Sequence, residues 1–357
     1  MTRNLVCFTA SFPFYNREAF FEAELKYLSK GFERIYIIPT YNPGIDKTPR
    51  ETPANVIFSQ PVTPQGFRRV IKGVFNLSPI SAYLKDFFRH RVFLNKHQLL
   101  YWTNSLLVFR AQYAAARKIL KQLNPDETLL YSYWAEAPLF TTKAFRKFKK
   151  AARMHGGDFY LNRNQNYLPL RKDIYRNCHL LLPISNDIRK ILIRDYQIDP
   201  EKIEVSYLGV QNKKEKINPP REVSMVQPLV LVSCSNAVAL KRIHKIIEAL
   251  HHFPENIQVV WHHFGDGPLL ETLKQSAAQL PPHVKPYFHG WVKPQQLFDF
   301  YAENHVDWLI NTSKYEGVPV SIMEALSFGI PVIATDVGAT NEVVLPQNGY
   351  LLPEDFQ

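Results

Sequence analysis

A chain of 357 residues with 46% hydrophobic and 21% charged side chains and 14 glycines is too long for one ordinary core and apolar enough to bury two, which excludes collagen-like, low-complexity and disordered classes. Its three cysteines, Cys7, Cys178 and Cys234, stand far apart and form no Cys-x-x-Cys pair, which excludes a disulfide framework and a thiolate zinc site and fits a reducing compartment. The net charge of +11 is lopsided, with 32 basic and 17 acidic side chains in residues 1–210 against 11 and 15 in residues 211–357; a basic half suits nucleic acid, an anionic membrane face, phosphorylated ligands or a surface solvated for solubility.

No run of about 20 apolar residues occurs, so no spanning helix is expected, and Met1 to Ala10 reads as a first buried strand rather than a signal peptide. From there, apolar runs of strand length alternate with helical patterns, the signature of open parallel α/β sheets. Strands are expected at Leu5–Ala10, Ile35–Thr40, Thr128–Tyr133, around Arg153–Met154, at Leu180–Ser185 and at Ile203–Leu208. Between the first two, Arg17–Lys30 repeats Phe20, Phe21, Leu25 and Leu28 at helical spacing. Residues 66–121 break the alternation and read as helices only. In that insert basic residues such as Lys85, Arg89, Arg91 and Lys96 face a single acid, Asp86, and aromatics such as Phe88, Phe93, Tyr101 and Trp102 are interleaved among them. Such a composition suits the surface of an anionic bilayer, although aromatics at helical spacing also build cores.

The polar, proline-paired stretch 211–226 reads as a linker. A second strand series follows at Pro228–Ser233, Ile257–His262, Val284–Phe288, Val306–Asn311 and Pro331–Thr335. The expected organisation is two Rossmann-like domains, 1–210 and 227–357, with ligands beyond the carboxyl ends of the strands and a cleft between the domains as the site.

The densest chemistry lies in Lys314-Tyr-Glu316-Gly-Val-Pro-Val-Ser-Ile-Met-Glu324-Ala-Leu-Ser-Phe-Gly-Ile-Pro-Val-Ile-Ala-Thr-Asp. A strand ending near Thr312 delivers a loop and then a short helix, with Pro319 suited to its first turn and Gly329 to its C-terminal cap. That unit aims backbone N–H groups and a positive helix end at a diphosphate. Glu316 and Glu324 can share the pocket, where carboxylates accept from paired sugar hydroxyls.

These residues resemble the family 4 retaining glycosyltransferases of GT-B fold, whose motif is two glutamates separated by seven residues in matching flanks. The resemblance runs along the chain and is strongest from Ser132 onward. It implies a nucleoside diphosphate sugar as donor substrate, with Glu324 on the ribose and Glu316 on the sugar hydroxyls. Lys241 and the main chain of Gly317, Val318, Pro319, Val320 and Ser321 then hold the diphosphate. It places His155, in Arg153-Met-His155-Gly-Gly-Asp158, near the donor sugar to orient it or balance phosphate charge, and Gly290 near the base. Asn236 stands where relatives carry an arginine, for which Arg242 is the candidate substitute. The glycine-rich loop of the first domain is replaced by Thr9 to Glu18, and Phe12 and Asp158 are the acceptor-side candidates. Relatives continue beyond the position of Gln357 with helices that finish the second domain, so either a truncated C-terminal domain or an unusually short member of the family is expected.

No Asp-x-Asp triplet occurs, and His262 and His263, as strand neighbours, point to opposite faces, so neither metal nor other cofactor is expected. The resemblance implies retention by front-face attack and a glycan or lipid-linked glycan acceptor. With the basic aromatic insert it points to cell-surface polysaccharide assembly at the cytoplasmic face, peripheral on the membrane. Nucleic acid is not expected as a partner, since no nucleic-acid module accompanies the basic residues. A catalytically silent, membrane-associated binding subunit of a glycan-assembly complex is the alternative.

Overall fold

The computed structural model describes residues 3–14, 18–41, 48–63, 79–164, 166–210 and 227–356; residues 211–226, expected as linker, Arg17 and positions 66–78 of the insert lie outside them. The chain forms two compact units, Met1–Gly209 and Val210–Gln357. In the first, β1 (Asn4–Thr9), β2 (Arg34–Pro39), β3 (Val56–Phe58), β4 (Thr128–Ser132), β5 (Lys149–Met154) and β6 (Leu180–Pro183) build a parallel sheet in the order β3-β2-β1-β4-β5-β6. In the second, β7 (Leu229–Cys234), β8 (Val259–Phe264), β9 (Val284–Gly290), β10 (Trp308–Asn311), β11 (Val332–Thr335) and β12 (Gly349–Leu352) build another, in the order β12-β11-β10-β7-β8-β9. Both are the doubly wound Rossmann arrangement. Strand order reverses between β1 and β4 in one unit and between β7 and β10 in the other, which makes those strand ends the places where ligands settle.

Strands such as β1, β4, β7 and β10 read as near-continuous apolar runs because both of their faces are covered. In the first unit the helix Ala19–Gly31 lays Phe21 and Leu25 onto Leu5, Cys7, Ile35 and Ile37; each fully buried side chain of this size contributes roughly 1.5–3 kcal/mol. In the second unit the period of two divides β8 between separate cores, Trp261 going to one and Phe264 to the other.

One expectation changes, and two strands add to the reading. The short edge strands β3 and β12 were not read from the sequence, since three or four residues carry too little periodicity. Ile203–Leu208 is not a strand: it meets β6 at one bridge, Leu181 to Ile203, and Arg153 then binds the carbonyls of Ser206 and Tyr207 at 2.9 and 3.1 Å. The insert divides into helices Ser81–Arg89 and Lys96–Leu120, the second capped by Asn95 Oδ1, which accepts from the amides of His97 and Gln98. Asp86 is turned inward, accepting from the Tyr167 hydroxyl and the Leu170 amide, and burial raises its carboxyl pKa. Tyr83, Phe109 and Tyr113 are core, whereas Phe88, Phe93 and Tyr101 are exposed.

Candidate active site

At the reversal point of the second unit, the loop after β7 is stitched to the loop after β10. Thr312 Oγ1 donates to the carbonyls of Lys241 and Arg242, each at 3.0 Å, and the Lys314 amide donates to the Leu240 carbonyl. This brings Lys241 Nζ to 2.6 Å from Glu316 Oε1, which also accepts from Asn311 Nδ2 at 3.3 Å. The other carboxylate oxygen of Glu316 bonds nothing among the described residues. Behind it, Gly338 at φ +57 allows the next loop to close in, since a Cβ there would stand 2.0 Å from the Glu316 carbonyl oxygen. The Ala339 amide then holds the Gly317 carbonyl at 3.0 Å.

The helix Val320–Ser327 starts directly after this loop, with Pro319 at its N-cap. Among the described residues the amides of Gly317, Val318, Val320 and Ser321 donate to no protein group, and the positive helix end adds to them. Glu324 lies within the helix, close enough to act electrostatically on Cys234 at the end of β7. Its carboxylate bonds nothing among the described residues, and burial pushes it up to about 7. An ammonium, two carboxylates and four unspent amides thus gather at one strand reversal, a set able to bind a diphosphate and hydroxyls together.

Gly290, ending β9 at φ +66, has open space where a Cβ would stand, and its carbonyl accepts from the Gly265 amide. Asn236 is exposed. Arg242 does not substitute for the arginine missing there. Its guanidinium donates to the carbonyls of Thr312 at 2.7 Å, Glu354 at 2.9 Å and Ser313 at 3.4 Å, and to Thr335 Oγ1 at 3.3 Å, so it clamps strand ends rather than facing a ligand. Arg242→Met is expected to lower stability by about 2 kcal/mol, read from the denaturant midpoint, while nucleotide affinity falls less than in Lys241→Ala.

The first-unit candidates are placed differently. Phe12 is fully buried, edge-on to Phe21 at 5.1 Å, and faces no acceptor. Asp158 spends both carboxylate oxygens on backbone amides, of Ala135 at 2.6 Å and His155 at 2.7 Å, and burial lifts it to about 7 against the pull of Arg171. It braces the turns after β4 and β5. His155 sits between Trp134 and Tyr133, ring centroids 4.5 and 4.9 Å away, and among the described residues neither ring nitrogen has a hydrogen-bond partner. Burial, with Arg153 adding to it, drives its pKa down to about 3. In the protein alone this favours the uncharged ring, which offers a ligand hydrogen bonds rather than charge.

Sequence reasoning missed Glu18. Its carboxylate, 1% exposed, accepts from the amides of Ala10 at 2.8 Å, Ser11 at 2.7 Å and Phe12 at 2.6 Å and from the Trp134 indole at 2.7 Å. The signal available was an acid standing just before a helix, after a β1 turn that lacks glycine. Asn311 and Gly338 were also missed. Among the described residues no three His, Cys, Asp or Glu side chains converge as metal ligands, and no helix is long and apolar enough to cross a membrane. His263 is buried against Ser233 Oγ at 2.8 Å, whereas His262 pairs with His289 at 2.9 Å.

Residues 214–356 match the family described as glycosyl transferases group 1. The lipopolysaccharide 1,6-galactosyltransferase of Escherichia coli K12 is 28% identical over 173 residues, 48% of this chain and 47% of that one. The chain spans about half the length of the curated relatives it matches. Two solved structures cover 99% of it: the lipopolysaccharide outer core galactosyltransferase WaaB in apo form, at 19% identity, TM-score 0.69 and 87% of that chain, and Anabaena HepE in complex with UDP, at 17%, 0.62 and 86%. Residues 214–356, within the second unit, are thus similar to the glycosyl transferases group 1 family, in a chain of GT-B fold.

Proposed function

We propose that the chain transfers a sugar from a nucleoside diphosphate sugar to a glycan or lipid-linked glycan, with retention and without a metal, in the assembly of a cell-surface polysaccharide. The observation that carries this is the convergence of Lys241, Glu316, Glu324 and the amides of 317–321 at the strand reversal of a group 1 domain. Lys241 and those amides hold the diphosphate. Glu324 takes the ribose hydroxyls and Glu316 the sugar hydroxyls. As the bond from the anomeric carbon to phosphate oxygen breaks, charge grows on the diphosphate, where the ammonium and amides already point. The acceptor oxygen bonds the same face of that carbon, and its proton passes to the departing phosphate.

A cytoplasmic-face membrane location is part of the same reading. It is supported by Leu84, Phe88, Phe93, Leu94 and Leu100, all exposed, beside Lys85, Arg89, Arg91 and Lys96. Within 81–101 the single acid, Asp86, is buried. Apolar side chains ringed by cations suit an anionic bilayer.

Calorimetry of the full chain against UDP, GDP and ADP, with and without EDTA, tests the donor reading. One nucleotide is expected to bind saturably in EDTA, with UDP the first choice because HepE was solved with it. Lys241→Ala is expected to weaken it by about 1.5–3 kcal/mol, the range for a charged hydrogen bond. A folded chain that binds none of the three would leave the silent-subunit reading in its place.

A further inference from the structure

His155 is sealed from any ligand in the arrangement described above. The residue is 6% exposed, and both ring nitrogens are buried with no hydrogen-bond partner among the described residues. Two dry nitrogens cost the folded state free energy that water or a ligand hydroxyl would recover.

The two rings that cover it are not held alike. Tyr133 is fully buried, edge-on to Phe21 at 4.8 Å and to Tyr131 at 6.4 Å. Trp134 is half-buried. Its backbone is fixed, the carbonyl accepting from the Glu136 amide at 2.6 Å and from the Ser132 hydroxyl, but its indole has one polar tie, the 2.7 Å bond from Nε1 to Glu18 Oε1. Glu18 can release it cheaply. Oε1 still accepts from the Ala10 amide, and Oε2 from the amides of Ser11 and Phe12. The indole also has somewhere to go: Trp134 borders a cavity of about 330 Å³, whose wall includes Gly157 and Asp158 from the turn that carries His155. A Cβ at Gly157 would meet nothing within 4 Å.

We propose that Trp134 is a gate over His155 and Glu18 its latch: the indole swings into the cavity, gives up its bond to Glu18 and bares the imidazole to a ligand hydroxyl. Opening exchanges one hydrogen bond to a carboxylate for hydrogen bonds at two nitrogens that had none, so it is a local event of the kind that precedes global unfolding. For its ligand, a hydroxyl of the donor sugar, the gate rests on the transferase reading; the gate itself is built from residues of the first unit alone.

Diethyl pyrocarbonate acylates an accessible, unprotonated imidazole, and peptide mass spectrometry of the full chain reads each histidine separately. His263 is the comparison: it is also sealed, 0% exposed with Nε2 unpartnered among the described residues, but Ser233 Oγ holds its other nitrogen at 2.8 Å. In the parent, His155 is expected to react about tenfold faster than His263 or more. Trp134→Phe keeps an aromatic ring at the site but cannot bond Glu18, and it is expected to speed His155 by about another tenfold. Acylation of His263 and alkylation of Cys178, buried in the first unit, are expected to stay unchanged. Equal rates at the two histidines in the parent, no gain at His155 in Trp134→Phe, or a gain that Cys178 shares would overturn the gate. Calorimetry with UDP, GDP and ADP is the separate readout. A chain that binds one of them while His155 stays sealed keeps the donor reading and loses the gate, whereas a chain that binds none while His155 opens as expected keeps the gate and loses the transferase reading.

Discussion

Glu316→Gln is expected to reduce sugar transfer by about 100- to 1,000-fold while leaving the melting temperature nearly unchanged. The two carboxylate oxygens are differently engaged. Oε1 is committed to Lys241 at 2.6 Å and to Asn311 at 3.3 Å, and the side chain is 11% exposed. Its partner oxygen, which bonds nothing among the described residues, is the group that the proposed transfer gives to a sugar hydroxyl. A glutamine of the same shape keeps an acceptor toward Lys241 and Asn311, so the loop stays in place; the lost charge in a partly exposed pair costs roughly 1 kcal/mol at most. At the other position an acceptor becomes an NH2 donor, which opposes a sugar O–H, and the negative charge beside the forming cation disappears. Steady-state kinetics with the donor found by calorimetry checks this, together with the variant's nucleotide affinity, which is expected to stay within a fewfold of the parent because Lys241 is freed rather than removed. Full turnover in Glu316→Gln would refute the assignment.

How far the chain could be read beforehand depends on whether a feature is local or made by distant contacts. Most strands lie in apolar runs because parallel strands covered on both faces are apolar throughout; β5, which reads KKAARM, and the edge strand β9, whose alternate residues are exposed, depart from this. The loop and helix around Glu316 follow from proline and glycine positions, and the helix Val320–Ser327 starts where Pro319 permits. What was not legible was set by partners far away in sequence. Arg242 looks like a phosphate ligand beside Lys241, yet the carbonyls that claim it come from residues 312, 313 and 354. His155 sits in a glycine-rich turn, yet its packing between Tyr133 and Trp134 and the burial that lowers its pKa are not readable there. Phe12, in the loop that replaces a glycine-rich turn, lies in the core because Glu18 folds that loop inward.

Glu18→Ala is expected to destabilise the protein by about 3–5 kcal/mol, the range for stranding buried polar groups that had a charged partner. The two units share one topology but use its first turn in opposite ways. In a ligand-binding Rossmann half, the amides after the first strand and the following helix end receive a phosphate. In the first unit the amides of Ala10, Ser11 and Phe12, together with the Trp134 indole, receive the Glu18 carboxylate, which stands at the start of the helix Ala19–Gly31. The chain thus carries its own anion in the place where a nucleotide would sit. Removing it leaves four N–H donors in a site 1% exposed to water. Glu18→Gln is expected to cost about half as much, since one oxygen still accepts from two donors while the new NH2 opposes the other two. Denaturant midpoints of the three proteins give the order, and formate separates this account from a simple packing loss. A small carboxylate that refills the emptied nest stabilises Glu18→Ala in proportion to its binding, so millimolar formate is expected to raise that variant's melting temperature and leave the parent's unchanged. An equal response in both proteins would mean that the carboxylate of Glu18 does not occupy an anion site, and the contrast between the two units would fall with it.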